Sequence, residues 1–221
     1  MSYRGKRVLD VAIAAPLLVA SLPVQAAAAV AVRVTMGSPV LFRQERPGLH
    51  GRPFELVKFR TMRLADPSVG SDRDAERMTL VGRALRTTSV DELPTLWNVL
   101  VGDMSLVGPR PLLPRYLDRY SERQARRHDV RPGITGLAQV SGRNALSWES
   151  RLELDAVYVE SATFAMDLQI LARTVVNTVR RQGISAEGHP TMPEFRGSGH
   201  ESEPLDRSAG RRQVDPGREV Q

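Results

Sequence analysis

An uncharged stretch from Val11 to Val32 is the feature that most limits how this chain can fold. It consists mainly of alanine, valine and leucine, and basic residues lie on both sides of it. As a helix it would extend about 33 Å, enough to cross the hydrocarbon core of a bilayer. Pro16 and Pro23 each remove a helical hydrogen bond, so a bend near Pro23 is predicted. Two arms of about 18 Å or less would then be too short to cross.

Three interpretations of this stretch are open from the residues alone. It can be a cleaved signal peptide, a spanning helix, or a helix that enters the bilayer and returns on the same side. The small residues from Gln25 to Ala29 resemble a signal cleavage region. The two prolines count against a straight spanning helix.

Composition excludes several kinds of chemistry. The 221 residues include no cysteine, so disulfide frameworks, thiolate metal sites and cysteine nucleophiles are excluded. The formal net charge is +6, and of the 31 basic residues only Lys6 and Lys58 are lysine. Such a charge favours an anionic partner: nucleic acid, anionic lipid or a phosphorylated small molecule. An arginine bias of this kind, however, more often reflects genome composition than binding.

We predict an α-rich α/β fold with three parts: a membrane helix over 1–36, a domain over 37–195 and a disordered tail over 196–221. Two short apolar runs around a Gly/Pro-rich turn predict a β-hairpin between residues 39 and 62. Residues 64–78 are polar and predict an exposed loop. Helices are predicted to begin near Thr79 and near Asp91, and to cover Leu113 to Arg127 and Phe164 to Arg181.

The segment Ser89-Val90-Asp91-Glu92-Leu93-Pro94 combines several helix-start signals. Ser89 and Glu92 have the spacing of a capping box, and Pro94 is tolerated only near a helix start. Asp91 is therefore expected in the first helical turn, where free backbone N–H groups favour a carboxylate and an approaching phosphate. Acidic residues in first turns are also common for stability alone.

Cationic residues are spaced around this carboxylate pair. Arg86 precedes it, Arg110 follows it between Pro109 and Pro111, and Lys58 and Arg60 lie on the predicted hairpin. Two prolines stiffen the backbone of Arg110, and a guanidinium fork suits phosphate oxygens. The set predicts a nucleophile with an ion or proton partner, acting on a phosphoryl centre.

The chain resembles the bacterial sugar transferases, the monotopic phosphoglycosyl transferases. The segments that carry the resemblance are KRVLDVAIA, GSPVLFRQERPG, KFRTM, VDELPTLWNVLVGDMSLVGPRP, RPGITGLAQVSGR and LELDAVYVE. The ending, from Gly183 to Phe195, is similar to that of the small single-domain members. The resemblance covers residues 4 to about 195, and only the tail falls outside it.

The resemblance implies an enzyme that moves a sugar 1-phosphate from a UDP-sugar to polyprenyl phosphate and releases UMP. It implies that Asp91 is the nucleophile of a covalent phosphosugar intermediate. It also implies that Glu92 binds magnesium or assists proton transfer. Arg86 matches a phosphate-binding arginine, Pro109, Arg110 and Pro111 match a nucleotide-seating motif, and Lys58 and Arg60 lie in a matched segment as further substrate-binding candidates.

The resemblance further implies a re-entrant N-terminal helix, a small cytoplasmic domain with amphipathic surface helices, and an inner-membrane location with the active site facing the cytoplasm. A cytoplasmic UDP-sugar argues against a signal peptide, and basic residues at both ends of the apolar stretch favour two cytoplasmic ends. The implied partners are the UDP-sugar, polyprenyl phosphate and membrane lipids. The alternatives are a non-catalytic basic membrane adaptor and a nucleic-acid binder, for which the sequence has no recognition motif.

Overall fold

The computed structural model describes residues 3–64, 77–142, 146–179, 194–195 and 197. The chain begins with a long helix, continues into a strand pair and then into a set of shorter helices around a second small strand pair. In order, the elements are α1 (Lys6–Met36), β1 (Leu41–Pro47), β2 (Pro53–Phe59), α2 (Leu80–Thr87), α3 (Thr95–Val101), β3 (Ser105–Val107), α4 (Glu122–Ala125), β4 (Gly133–Thr135), α5 (Leu137–Ser141), α6 (Trp148–Ser161) and α7 (Phe164–Val179). The fold is therefore helix-rich with two small sheets.

The two sheets differ in direction. β1 and β2 are antiparallel, with Leu41 opposite Phe59 and Pro47 opposite Pro53. A turn at Leu49–Gly51 joins them. β3 and β4 are parallel, and they bring the segment after Val107 beside the segment after Thr135.

Helix α1 contains the whole uncharged stretch and continues through Pro16 and Pro23. Among the described residues it is the helix long and apolar enough to cross a membrane, and only 11% of its most apolar window is buried. Its middle is open, with Val19 66% and Leu22 54% exposed. Large exposed apolar side chains on this helix are consistent with membrane association. The bend near Pro23 stays a prediction.

Both ends of α1 pack on the folded domain, but into different clusters. Near its start, Ala14 lies in the main core, which also contains residues of α3, β3, α6 and α7. Near its end, Ala28 and Val32 pack with Phe59 of β2 and Leu85 of α2. The helix is thus held at both ends while its middle is exposed.

Polar side chains fasten the start of α1. The Lys6 ammonium lies 2.5 Å from the Asp167 carboxylate and donates to the Tyr158 hydroxyl at 3.1 Å. The Asp10 carboxylate accepts bonds of 2.9 Å from the Ser105 hydroxyl and from the backbone amide that follows it. These buried bonds connect the start of α1 to β3, α6 and α7.

The single helix predicted from Leu113 to Arg127 is wrong. The chain instead forms a 3₁₀ segment over Pro114–Arg119, then α4, then a 3₁₀ segment over Arg126–Asp129. Tyr120 has extended backbone angles, which interrupts the helical path. Ser121 then starts α4 with a capping box of its own, in which its side chain and that of Gln124 bond each other's backbone amides.

The spacing of Leu168, Leu171, Val175 and Val179 predicts that this side of α7 faces the core. Leu171 packs against the main core, but Leu168 and Val175 are 42% and 64% exposed. Asp167 and Ile170 are buried at 0% and 2%. The Lys6 partner of Asp167 explains how a carboxylate replaces an apolar residue on the core side. The predicted helix end at Arg181, residues 65–76 of the predicted loop over 64–78, and most of the tail lie outside the described residues.

Candidate active site

The backbone at residues 89–95 differs from the predicted helix start. Ser89 adopts a left-handed conformation with φ 57° and its side chain makes no capping bond, so the predicted capping box with Glu92 is wrong. Val90–Glu92 forms a 3₁₀ turn, and α3 begins only at Thr95 after Pro94. Asp91 therefore lies in the turn between α2, which ends at Thr87, and α3.

Asp91 is the buried member of the carboxylate pair, at 5% exposure. Burial, and to a smaller extent repulsion from Glu92, raise the pKa of Asp91 to about 6. Lys58, Arg86 and Arg110 act on the same carboxyl in the opposite direction. Lys58, Arg86 and Arg110, three of the four predicted cations, are thus near enough to Asp91 to lower its pKa.

Glu92, the neighbour of Asp91 in the sequence, forms an ion pair with Arg110. The Arg110 guanidinium donates to the Glu92 carboxylate at 2.5 Å, with side-chain exposures of 45% and 25%. The Glu92 carboxylate also raises the pKa of Arg110. The pair remains accessible to a ligand that approaches from solvent.

Lys58 lies on β2 opposite Phe42 of β1. Its ammonium is 5.4 Å from the centroid of the Phe42 ring. Partial burial and then repulsion from Arg110 lower the pKa of Lys58, while Glu92 and Asp91 act against this change. An incoming anion would stabilise the charged form of this ammonium.

Arg86 on α2 is oriented by the segment after β2. Its Nε donates to the Thr61 hydroxyl at 3.0 Å, and its Nη2 lies 3.4 Å from the Met62 sulfur. The close approach depends on Gly82, where an added Cβ would lie 1.7 Å from the Thr61 carbonyl oxygen. This backbone contact holds α2, and with it Arg86, against the strand pair.

The structure does not bring Arg60 together with these cations. Its buried guanidinium donates to the backbone carbonyls of Met36, Gly37 and Ser38, the last two at 2.8 and 3.2 Å. It satisfies the carbonyls at the end of α1, which a helix leaves without partners. Arg60 therefore fastens the helix end, and we do not include it in the candidate site.

The backbone of Pro109, Arg110 and Pro111 is held at every residue. Pro109 and Pro111 are buried, whereas the Arg110 side chain points outward. Each of the three carbonyl oxygens accepts a bond from a different part of the chain. The donors, in order, are the Gly133 amide at 3.0 Å, the Arg127 guanidinium at 2.6 Å and the Arg46 guanidinium at 3.2 Å.

Sequence reasoning missed Arg46 and Arg127. Arg46 donates to the carbonyl oxygen of Pro111, beside Arg110, at 3.2 Å. Burial lowers the pKa of Arg46 to about 10, with repulsion from Arg110 as the second cause. Arg127 is 3% exposed and is paired with Asp155. No spacing motif relates either residue to Arg110, because the folded chain brings them there from positions 46 and 127.

Among the described residues, no group of three or more metal-ligating side chains gathers that could hold a metal ion by itself. Magnesium is usually bound by one or two carboxylates together with substrate phosphates. The partly exposed Glu92 carboxylate fits that smaller donor set.

Comparison with known proteins agrees with this geometry. Residues 1–181 match the family described as Bacterial sugar transferase. An uncharacterized sugar transferase of Bacillus subtilis, EpsL, is 51% identical over 195 residues, covering 88% of this chain and 96% of that protein. The UDP-glucose:undecaprenyl-phosphate glucose-1-phosphate transferase of Caulobacter vibrioides is 45% identical over 181 residues, 77% of this chain and 68% of that protein.

A third relative, the undecaprenyl-phosphate galactose phosphotransferase of Salmonella typhimurium, is 39% identical over 165 residues. The match covers 66% of this chain but only 35% of that longer protein. The family match over residues 1–181 contains α1, both strand pairs and every candidate residue around Asp91. By this match and these identities, the chain belongs to the bacterial sugar transferase family of enzymes.

Proposed function

We propose that this protein transfers a sugar 1-phosphate from a UDP-sugar to polyprenyl phosphate, which yields a polyprenyl diphosphate sugar and UMP. The observation that carries the proposal is the buried Asp91 carboxylate, which precedes Glu92 in this turn and whose pKa Lys58, Arg86 and Arg110 lower against the effect of burial. The names of the Caulobacter and Salmonella relatives support the same reaction class.

In the first step, a carboxylate oxygen of Asp91 attacks the phosphorus that carries the sugar. The bond to the UMP oxygen breaks, and UMP leaves with that electron pair. An aspartyl phosphosugar remains. In the second step, a phosphate oxygen of the polyprenyl phosphate attacks the same phosphorus, and the Asp91 carboxylate is released unchanged. Splitting one transfer into two displacements is the usual advantage of a covalent intermediate.

The cations serve binding and charge compensation in this scheme. A diphosphate donor brings negative charge to a site where Arg110 and Arg86 repel Lys58, so binding relieves that repulsion. Arg110 presents a fork that suits two phosphate oxygens. Pro109 and Pro111 contribute by fixing its backbone, which lowers the entropy lost on binding.

A magnesium ion is part of the proposal, with Glu92 as its protein ligand. When bound, the ion would neutralise charge on the diphosphate and on the departing UMP. Glu92 is already the partner of Arg110 at 2.5 Å. We therefore expect donor phosphate oxygens to replace Glu92 on Arg110, which leaves the Glu92 carboxylate available as a ligand.

We further propose that α1 is re-entrant and that the site faces the cytoplasm, at the bacterial inner membrane. The packing of both ends of α1 on one domain supports re-entry, since the two ends of a spanning helix would lie on opposite sides of the bilayer. A cytoplasmic site also meets a soluble UDP-sugar and a lipid phosphate at the same membrane surface.

The decisive experiment measures UMP release by the full chain in detergent, with polyprenyl phosphate, Mg²⁺ and a panel of UDP-sugars that begins with UDP-glucose and UDP-galactose. Asp91→Asn should abolish release with any donor that the unaltered protein uses. Asp118→Asn, the same change at an exposed position, is the matched control and should remain active. Undiminished turnover by Asp91→Asn would overturn the mechanism. Donor binding by the unaltered protein without UMP release would favour a non-catalytic membrane adaptor.

A further inference from the structure

The buried guanidinium of Arg127 bonds groups from three different parts of the chain, one of which is the backbone of Arg110. It pairs with the Asp155 carboxylate of α6 at 2.9 Å, and both side chains are at most 3% exposed. Its Nη1 donates to the Tyr120 hydroxyl at 2.9 Å, and its Nη2 donates to the Arg110 carbonyl oxygen at 2.6 Å. Arg127 thus bonds the backbone of the residue whose side chain contacts Glu92.

Tyr120 is in turn held by an aromatic cluster that includes Phe195, near the end of the described residues. The Phe195 ring, 1% exposed, stacks on the Tyr120 ring with centroids 5.7 Å apart. The rings of Tyr116 and Trp148 contact Phe195 from other sides at 5.7 and 5.5 Å. Arg119 donates to the Phe195 carbonyl. The segment at residues 194–195 is therefore part of the packing around Tyr120.

These contacts form one continuous path from Phe195 through Tyr120 and Arg127 to Arg110. We propose that Arg127 is a positioning residue for the transfer reaction: it holds the Arg110 backbone so that the Arg110 side chain meets the donor diphosphate. Phe195 supports it by packing against Tyr120. The inference rests on the proposed function, since it assigns a second layer of residues to the same site.

An arginine is needed here because of its geometry. A single planar guanidinium reaches Asp155, Tyr120 and the Arg110 carbonyl with fixed directions, which a lysine ammonium cannot reproduce on a flexible stem. A buried ion pair adds little net stability compared with apolar packing of the same volume. At this position the ion pair instead fixes the orientation of the Arg127 guanidinium. Orientation matters because displacing a substrate-binding group by about 1 Å can lower a rate by about a hundredfold.

The test compares Arg127→Lys with Arg123→Lys, the same change at a neighbouring arginine whose ion pairs with Glu153 and Glu160 are exposed. Arg127→Lys should lower kcat/KM for the UDP-sugar by about tenfold or more, mainly through KM. Arg123→Lys should match the unaltered protein. A purely structural role would lower the thermal midpoint of Arg127→Lys and leave KM unchanged in the folded protein, which would overturn the proposal.

Tyr120→Phe provides a milder variant in case Arg127→Lys does not fold. It keeps the ring that stacks on Phe195 and removes only the hydroxyl that holds Arg127, so KM should rise in the same direction by a smaller factor. Unchanged KM in Tyr120→Phe and in Phe195→Leu would count against the path from Phe195 to Arg110.

A double-mutant cycle tests whether Arg127 acts through Arg110. In an Arg110→Lys background, Arg127→Lys should have little further effect on kcat/KM, since the side chain that it positions is already altered. Fully additive effects would show that Arg127 acts elsewhere.

Calorimetric binding of UDP in the presence of Mg²⁺ separates this inference from the proposed function. If the unaltered protein binds UDP but releases no UMP, the transferase proposal fails. The positioning role of Arg127 is then tested by the Kd of Arg127→Lys for UDP, which should rise about tenfold. An unchanged Kd would overturn the positioning role. A protein that neither binds UDP nor releases UMP would overturn both.

Discussion

The Glu92 carboxylate accepts a hydrogen bond of 2.5 Å from the Arg110 guanidinium, across 18 residues of sequence. This ion pair lies beside the buried Asp91, so the two neighbouring carboxylates have different surroundings. Asp91 is shielded from water and has a raised pKa, whereas Glu92 is paired and partly exposed. A pair of titratable groups with unlike environments is typical of sites that assign one group to each chemical role.

The loss of activity at low pH should report the protonation of Asp91. The proposed nucleophile must be ionised, and burial together with Glu92 raises the pKa of Asp91 from 3.8 to about 6. We expect kcat/KM for the UDP-sugar to fall with an apparent pKa near 6 as the pH decreases. UMP release measured between pH 5 and 8 tests this. A flat profile across that range would contradict the role given to Asp91.

Asp91→Asn should stabilise the fold at neutral pH while it removes activity. A raised pKa means that the folded protein holds the Asp91 proton more tightly than the unfolded chain does. Its contribution to stability is complete below about pH 4 and is lost as the pH rises through about 6. Ionisation at pH 7.5 therefore lowers the free energy of unfolding by roughly 3 kcal/mol, an upper value for this group.

Thermal unfolding in detergent at pH 7.5 and at pH 4 measures this difference. The midpoint of Asp91→Asn should exceed that of the unaltered protein at the higher pH and approach it at the lower one. Asp118→Asn, at an exposed position, should show no such dependence. A lower midpoint for Asp91→Asn at pH 7.5 would be the contrary result.

Glu92→Gln should shift the acidic limb as well as slow the reaction. The amide still accepts a bond from Arg110, but the negative charge that raises the pKa of Asp91 is gone. The pKa of Asp91 should therefore move below about 6, and kcat should fall because the proposed magnesium ligand is lost. The pH dependence of residual UMP release gives both quantities. An acidic limb that stays in place would show that Glu92 does not act on Asp91.

Removal of divalent cations should stop the reaction reversibly. A magnesium ion that is held by Glu92 and completed by donor phosphates is lost to a chelator. We expect EDTA to suppress UMP release and added Mg²⁺ to restore it. Since the proposed ion is completed by the donor, EDTA should leave the thermal midpoint of the donor-free protein nearly unchanged. Turnover that persists in EDTA would remove magnesium from the proposal.

Lys6→Met should destabilise the fold by about 3–5 kcal/mol, because it leaves the buried Asp167 charge without its cation. The Lys6 ammonium and the Asp167 carboxylate are 2.5 Å apart, with side-chain exposures of 7% and 0%. Arg4→Met, at an exposed position beside the same helix start, is the control and should have little effect. Thermal unfolding in detergent measures both, and equal midpoints would contradict the anchoring role of Lys6.

Several elements could be predicted because their patterns are local. Apolar runs indicated paired strands, and β1 and β2 pair at those positions. Thr79 caps the helix expected near it. The local pattern failed at Ser89, where the left-handed backbone at the end of α2 turns the side chain away from a capping position. A capping-box spacing describes which bonds are possible and does not determine the backbone conformation that makes them.

By itself, the sequence determined the long apolar segment, the family, and the residue types that can perform phosphoryl transfer, because hydrophobic length and motif chemistry are read along the chain. Only the tertiary structure decided which partners these residues have. It directs Arg60 to the end of α1 and pairs Glu92 with Arg110. It also brings Arg127 behind Arg110. Such contacts join residues that are distant in sequence, and they depend on how the elements pack, which no local spacing encodes.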